Sequence, residues 1–442
     1  MVVKLGKYIE KVHIKATDIE DFQDLQVYGV SNKEGITITS HKASEDVSKY
    51  LYIDGNCFAY NPYRINVGSI GLTPEGISGL VSPAYVVFKT KKGKLLPKLL
   101  LDFLKSPDGL HEIAKYARGT VRKALRYKEL CEIEIPEISY EKQLNSEIRR
   151  SKIKQGLSPL IEEIANQSSY LSQLRQAILQ EAIEGKLTAN WRKENPVRKG
   201  DPDYDAEALL DKIKAEKEKL VKEGKIKKQK ALAPIKPEEV PFELPEGWVW
   251  TKLGEISDSI LGKMLDKAKN KGEHYNYLRN LNVRWFDFDL GDLKKIRLQE
   301  HEVEKYLAYK YDLLICEGGY PGRSAIWEQD EPIVFQKAIH RVRSFFSDHN
   351  EWLLYNLKLL DMNRKIEKYF TGAGIKHLTG VKLKTIEIPL PPLSEMKIIL
   401  ERIKSYYYKV DELEKQVSER KEQSEQLMQA VLREAFEGAN HA

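Results

Sequence analysis

The sequence predicts an α+β protein written twice: two mixed α/β globular domains separated by two long antiparallel helices, a coiled-coil stalk, with an internal pseudo-twofold repeat. Three observations carry this. The phrase QAILQEAIEGKL from Gln176 returns as QAVLREAFEGAN from Gln429, and the apolar positions are kept, with Ile178 answering Val431 and Ile183 answering Phe436. At the same shift of 253, GTVRKALRYKELCEIEIP from Gly119 falls without a gap on GAGIKHLTGVKLKTIEIP from Gly372. Near the front, KLGKYI from Lys4 resembles KLGEIS from Lys252 at a shift of 248, a difference that loops absorb. A chain of 442 residues also exceeds one ordinary core.

The elements follow in order. Residues 1–138 form the first globular domain and 139–187 a central helix. Residues 188–243 form a connector, 244–392 the second globular domain and 393–442 the C-terminal helix. Each globular part mixes short β-rich runs, AYVVFK from Ala84 and YDLLIC from Tyr311, with Gly- and Pro-punctuated stretches, NPYRINVGSIG from Asn61 and EGGYPGRSAIW from Glu317. KLLLDFLKS from Lys98 and WLLYNLKLLDM from Trp352 read as helices. This is α+β rather than an alternating βαβ array.

From Glu395 to Glu437 the apolar or small positions run Leu400, Ile403, Tyr407, Val410, Val417, Ser424, Met428, Val431, Ala435, with skips at Glu414 and Lys421. These steps of three, four and seven describe a seam on a helix on the order of 60 Å long. The first copy is less regular. Gly156 and Pro159 interrupt it, and Ser158-Pro159 predicts a fresh N-cap and first helical residue. Beyond that point Leu160, Ile164, Leu171, Leu174, Ile178 and Ile183 carry the apolar face. Two such stripes in one chain most simply bury each other. In the repeated phrase, Gln176, Leu179, Ala182 and their partners Gln429, Leu432, Ala435 are the candidate docking residues for helix and subunit contacts. Between the copies, Asp203 to Lys222 reads as a helix, and Asp211 to Lys230 holds nine Lys against four acids. Such a run is mostly a solvated face.

Several chemistries find no motif. There is no GxxxxGK[ST] loop and no HExxH; HEVEK at His301 and HEIAK at His111 lack the second His. YNPYRI at Tyr60 is one proline short of a methyltransferase turn, and TGAGIK at Thr371 is a lone GxG. Cys57, Cys131 and Cys316 are far apart, which fits reduced thiols rather than a disulfide framework. No run approaches the ~18 apolar residues of a membrane helix, and no leader is evident at the start, so a cytoplasmic, non-membrane protein is expected. The net charge of +6 is too small for a globally basic surface, so any nucleic-acid surface must be local.

Local basic loops are present. ARGTVRKALRYK from Ala117 carries Arg118, Arg122, Lys123 and Arg126; its counterpart TGAGIKHLTGVKLK carries Lys376 and His377. GYPGRSAIW places Arg323 beside Tyr320, NPYRINVGSIG carries Arg64, and QKAIHRVR offers Gln336, Lys337, His340 and Arg341. Glycine admits close backbone approach, Lys and Arg neutralise phosphate, and Gln and Arg can read base edges bidentately. These thirteen residues are the candidate DNA-binding set.

Taken together, LPEGWVWTKLGEI from Leu244, NPYRINVGSIG, VSPAYVVFK, GAGIKHLTGVKLKTIEIPLPPLSEM and LRQAILQEAIEGKLTANWRKENP from Leu174 resemble the DNA-specificity subunit of type I restriction–modification systems over essentially the whole chain. Two departures stand out: Met396 follows Glu395 where the family usually has Gln, and the first domain lacks the PEGW lead-in. The resemblance implies two target-recognition domains, each reading half of a bipartite, asymmetric double-stranded DNA site, with the paired helices fixing the gap. It implies docking of two modification (methyltransferase) subunits and of restriction (endonuclease/translocase) subunits. S-adenosylmethionine, ATP and Mg would sit on those partners and no cofactor or metal on this chain, which would be non-catalytic and could dimerise alone. The alternatives are a DNA adenine methyltransferase or nuclease with degenerate motifs, or a helical scaffold that does not touch DNA.

Overall fold

The structure, a computed structural model, describes residues 2–39, 46–119, 123–266, 268–345 and 349–437. It falls into two compact units. The first comprises the chain up to Asn166 together with the second long helix from Val417; the second is Gln167–Gln416.

Ten strands make up the sheets of the first unit: β1 (Val2–Lys4), β2 (Ile9–Lys11), β3 (Val27–Ser31), β4 (Gly35–Ile38), β5 (Leu51–Ile53), β6 (Phe58–Tyr60), β7 (Ile70–Leu72), β8 (Gly79–Val81), β9 (Val86–Thr90) and β10 (Glu134–Pro136). The second unit has β11 (Val249–Lys252), β12 (Ser257–Leu261), β13 (Glu273–Leu278), β14 (Lys294–Leu298), β15 (Leu307–Ala308), β16 (Leu313–Cys316), β17 (Ser324–Ile326), β18 (Ile333–Phe335), β19 (Ile339–Ser344) and β20 (Glu387–Leu390). The sheet orders are β1-β10, β2-β9-β6-β7 and β4-β3-β8-β5 in the first, and β11-β20, β12-β19-β16-β17 and β14-β13-β18-β15 in the second. Adding ten to each label converts one set into the other. Even the parallel pairings correspond, β3 with β8 and β13 with β18. The duplication seen in sequence is therefore a duplication of topology.

Each unit has its own core. In the first, Phe58 stacks on Phe88 with ring centroids 4.6 Å apart, above a layer of Leu5, Leu99, Leu104 and Ile133. Pro97–Lys105 is a helix with proline in its first turn, where the missing N–H costs no bond. The matching helix of the second unit, His349–Met362, buries Trp352, whose Nε1 donates to the Pro389 carbonyl at 2.8 Å.

The first long helix runs unbroken from Tyr140 to Ile183, with Pro159 inside it. The expected fresh start at Ser158 is thus corrected. A proline removes one backbone donor and crowds one carbonyl; the neighbouring bonds of a long helix hold the turn together. Ile164, Leu171 and Ile178 are buried at steps of seven, whereas Leu160 and Leu174, expected on the same face, are exposed. The second long helix, Leu393–Glu437, buries Ile403, Val410, Val417 and Ser424, again at steps of seven. The real stripe is narrower than the sequence reading made it: these positions bury one residue per heptad, where a full a/d seam would bury two.

In the second unit the two helices run antiparallel. Arg175 forks onto Glu414, with Nε–Oε1 and Nη2–Oε2 both 2.9 Å, and also reaches Asp411. Its guanidinium lies 4.9 Å from the Tyr407 ring, and Tyr407 Oη donates to the Arg175 carbonyl at 3.3 Å. Just past the end of the first helix, Arg402 reaches the Leu187 carbonyl. The skip at Glu414 is therefore an ion-pair position beside the seam.

The connector helix begins at Ala206 rather than Asp203. Asp205 is its N-cap, accepting from the Glu207 amide at 3.2 Å. Among the described residues no helix is long and apolar enough to cross a membrane.

Candidate nucleic-acid interface

Both units close a matching bridge at equivalent positions. In the first, Arg118 and Ala124 pair as an isolated antiparallel bridge; in the second, Thr371 and His377 do so. These are positions 253 apart. Each bridge encloses a glycine at positive φ, Gly119 at 137° and Gly372 at 99°. A Cβ at Gly372 would lie 2.3 Å from the Ile375 carbonyl, so only glycine fits there.

The next residue ties each loop to a second one. The Leu125 amide donates to the Pro62 carbonyl at 3.0 Å, and the Leu378 amide to the Glu317 carbonyl at 2.8 Å. The carbonyl of that same leucine is then held by a buried side chain. Tyr60 Oη donates to the Leu125 oxygen at 3.0 Å, and His340 Nε2 to the Leu378 oxygen at 2.8 Å. The two holders come from different strands, β6 and β19, yet do one job: they fix a glycine-bearing loop beside another loop, 61–69 in the first unit and 317–323 in the second.

What these loops display is basic. Arg64, Arg118, Lys123 and Arg126 of the first unit are exposed, as are Lys337 and Lys376 of the second, and none makes a side-chain ion pair or hydrogen bond to the described protein. Tyr320 is exposed with Arg323 stacked 5.2 Å from its ring centre, and Arg323 Nη2 donates to the Asn280 carbonyl at 2.9 Å. Asn280 in turn donates to the Gly318 carbonyl at 3.0 Å. Gln336 and His377 are half-buried at the edge of this surface. Gln336 donates its amide to Leu278, and a Cβ on Gly318 would meet His377 Nδ1 at 3.1 Å. Tyr320, Arg323, Gln336, Lys337, Lys376 and His377 thus meet at one end of the second unit. Arg122 lies outside the described residues.

Two of the candidate DNA contacts are corrected. His340 and Arg341 are buried, at 1% and 9% exposure, and cannot face a duplex. They lie on β19, a central strand with β12 on one side and β16 on the other. Burial holds the His340 imidazole down at about 4, so it is the neutral ring that braces the loop. Arg341 reaches the Leu307 carbonyl and lies beside Asp312; Arg343 forks onto Asp312 at 2.7 and 2.6 Å.

The docking set is corrected in part. Leu179 and Ala182 are fully buried in a core shared with Trp352, Leu353 and Ile403, so they fasten the helix to its own unit and present nothing to another subunit. Gln176 Nε2 donates to Asn363 Oδ1 at 2.6 Å, and Asn363 Nδ2 donates to Gln180 Oε1 at 3.0 Å. Gln429, Leu432 and Ala435 lie on the second helix, but their side chains are outside the described set.

Sequence reading missed Tyr60, Asn280 and Glu395. The Glu395 carboxylate, 1% exposed, accepts from Thr188 Oγ1 at 2.5 Å and Trp248 Nε1 at 2.8 Å and pairs with Arg192. It clasps the connector and the PEGW turn to the start of the second long helix. Its only sequence signal was its place in the PLPPLSEM run.

Comparison with known proteins bears on what these twin loops serve. Residues 245–423 match the family described as the type I restriction modification DNA specificity domain. That match takes in the second globular part and the second long helix as far as residue 423. Among the chain's relatives are two Escherichia coli proteins, the type I restriction enzyme EcoAI specificity subunit, 30% identical over 277 residues, and the EcoEI specificity subunit, 27% identical over 277 residues. Each match takes in 59% of this chain, but only 44% and 43% of the relatives' own length. A solved chain from a structural study of complex assembly and conformational transition of the type I R-M system is alike in fold over 99% of this chain and 97% of its own, with a TM-score of 0.62 and 18% identity.

Proposed function

We propose that this chain is the DNA-reading subunit of a type I restriction–modification enzyme: each globular part reads one half of a bipartite, asymmetric site, and partners supply the chemistry. The observation that carries this reading is the repeated loop, Arg118–Ala124 and Thr371–His377, held by the same leucine carbonyl in both units and edged by cations with no protein partner. Unpaired cations on a fixed glycine loop favour phosphate, and neighbouring Gln, Asn and Arg side chains favour base edges. The loops share a frame but not a sequence, so the half-sites differ.

In this reading the antiparallel helices form the coiled-coil spacer. Support comes from the heptad burial and from the Arg175–Glu414 fork beside it. Three positions past the buried Leu171, Ile403, Val410 and Ser424 stand Leu174, Tyr406, Leu413 and Leu427, all exposed. A helix pair with one apolar stripe buried and the next one open is suited to accept further helices, here those of two modification subunits. Those partners bring S-adenosylmethionine, and restriction subunits bring ATP and Mg; this chain binds none of them.

The test is methylation-motif sequencing of cells carrying the partner subunits with and without this chain. A split adenine motif that appears only with the chain is expected. Methyl transfer by the purified chain alone would sink the reading and favour a degenerate methyltransferase.

A further inference from the structure

The ribbon β13–β14 carries a face that none of the loops above explains. The two strands pair antiparallel with Tyr275 opposite Ile296, His274 opposite Arg297 and Asn276 opposite Lys295. Tyr275 and Ile296 turn inward to a small apolar cluster with Tyr277, Leu298 and Val334. His274, Asn276, Lys295 and Arg297 are all exposed. Strand β14 is the edge of its sheet.

Three features make this more than a solvated patch. Arg297 is fixed from behind: its Nε donates to His274 Nε2 at 3.1 Å, which leaves the terminal guanidinium nitrogens without a partner among the described residues. A held arginine is prepared for bidentate contact, which a loose phosphate contact does not require. Asparagine is disfavoured in strands, yet Asn276 sits exposed in one. Acids also stand nearby, Glu273 on the ribbon and Asp330 and Glu331 beside a depression of about 700 Å³ that His274, Asn276 and Lys295 line. Asp330 is engaged by Lys310 at 2.7 Å. With Glu273 and Glu331 present the face is not a simple positive field, which argues for readout of base edges over a phosphate track.

The spacing agrees. Arg297 faces His274 across the ribbon, two positions from Asn276, so the two side chains are offset along the ribbon by roughly 6.7 Å, and two base-pair steps of B-DNA rise about 6.8 Å. A two-stranded ribbon fits the major groove, where Arg pairs with guanine and Asn with adenine. We infer that the β13–β14 face is a base-reading element of the second unit, in which Arg297, positioned by His274, reads a guanine, and Asn276 reads an adenine two base pairs away. This rests on the DNA-reading function proposed above. The first unit has no counterpart: β3 and β4 read VYGVS and GITI and hold no Arg, Lys, His or Asn. The element therefore belongs to one half-site only.

The test uses the full chain with its modification partners and compares methylation motifs for wild type, R297Q and N276A. R297Q is expected to relax one guanine position, and N276A one adenine position two base pairs from it, each by roughly 5- to 150-fold in discrimination, while the other half-site stays unchanged. Thermal unfolding of both variants should match wild type, since both side chains are exposed. An unchanged motif in both variants overturns the inference. So does a uniform loss of methylation at every sequence, which would mark a phosphate contact, or relaxation at positions with any other spacing. If wild type itself directs no split motif, the DNA-reading function falls as well, and the two failures are told apart.

Discussion

Replacing Glu395 with alanine should unfold the second unit several degrees early. The carboxylate is 1% exposed and gathers three donors, Thr188 Oγ1, Trp248 Nε1 and the Arg192 guanidinium. Its removal strands a cation and two neutral donors. Breaking a buried ion pair from one side costs about 3–5 kcal/mol. Arg192 is 21% exposed and can recruit some water, so the lower end, about 3 kcal/mol, applies. For a unit of the size of residues 167–416, that shifts Tm by roughly 6–12 °C. Calorimetry on the full chain reads it, with the first unit's transition as internal reference. The repeat supplies a control: 253 residues earlier stands Lys142, which is exposed, so Lys142→Ala should change stability by less than about 0.5 kcal/mol. A Tm drop below about 2 °C for Glu395→Ala, or an equal drop for both variants, would refute the view that this carboxylate clasps connector to helix.

The other predictions concern the loop supports and the loops themselves. His340 is buried neutral with its pKa lowered to about 4, so its contribution is complete above the unfolded value near 6.5 and is lost as pH falls through that window towards 4. Wild type should therefore lose about 1 kcal/mol more than His340→Leu between pH 7 and pH 5.5 by denaturant unfolding, and equal losses would remove His340 as the titrating group. Tyr60→Phe deletes the bond to the Leu125 carbonyl and should cost about 1–2 kcal/mol, with faster amide exchange confined to the loop around Gly119. Exchange unchanged there would mean the tyrosine does not brace the loop. Lys123→Gln with Lys376→Gln should lower the slope of log affinity for duplex DNA against log salt by about 2, and an unchanged slope would remove those lysines from the DNA contact.

The duplication was legible in sequence because it is enforced by backbone contacts at fixed positions. The gapless shift of 253 spans Arg118–Ala124 and Thr371–His377 because the bridge, the positive-φ glycine and the leucine anchor all depend on position. Insert one residue and the Leu125–Pro62 or Leu378–Glu317 bond fails. The holders of the leucine carbonyl were not legible, since Tyr60 and His340 come from different strands and share no alignment column. His340 and Arg341 were misread for a related reason. Polar residues in QKAIHRVR suggest a solvated loop, but Ile339 to Val342 are all buried in a strand with neighbours on both sides. Alternation marks a half-exposed strand and is silent about a central one. The ribbon face was missed because its residues alternate across two strands separated by the loop 279–293, and only pairing brings His274 to Arg297.

Why the first copy of the helical phrase is spelled as it is follows from where it ends. Leu179, Ala182 and Ile183 share a core with Trp352 and Leu353 of the second globular part, although the helix carrying them starts just after β10 of the first. The first unit likewise takes in the second helix from Val417 onward, so each compact unit is one globular repeat, the start of its own helix and the end of the other. The first copy is held to its spelling by these contacts: Ala182 permits close approach in the core, and Gln176 meets Asn363. A surface helix would be free to drift in sequence. One that closes a core, as Leu179, Ala182 and Ile183 do, is not.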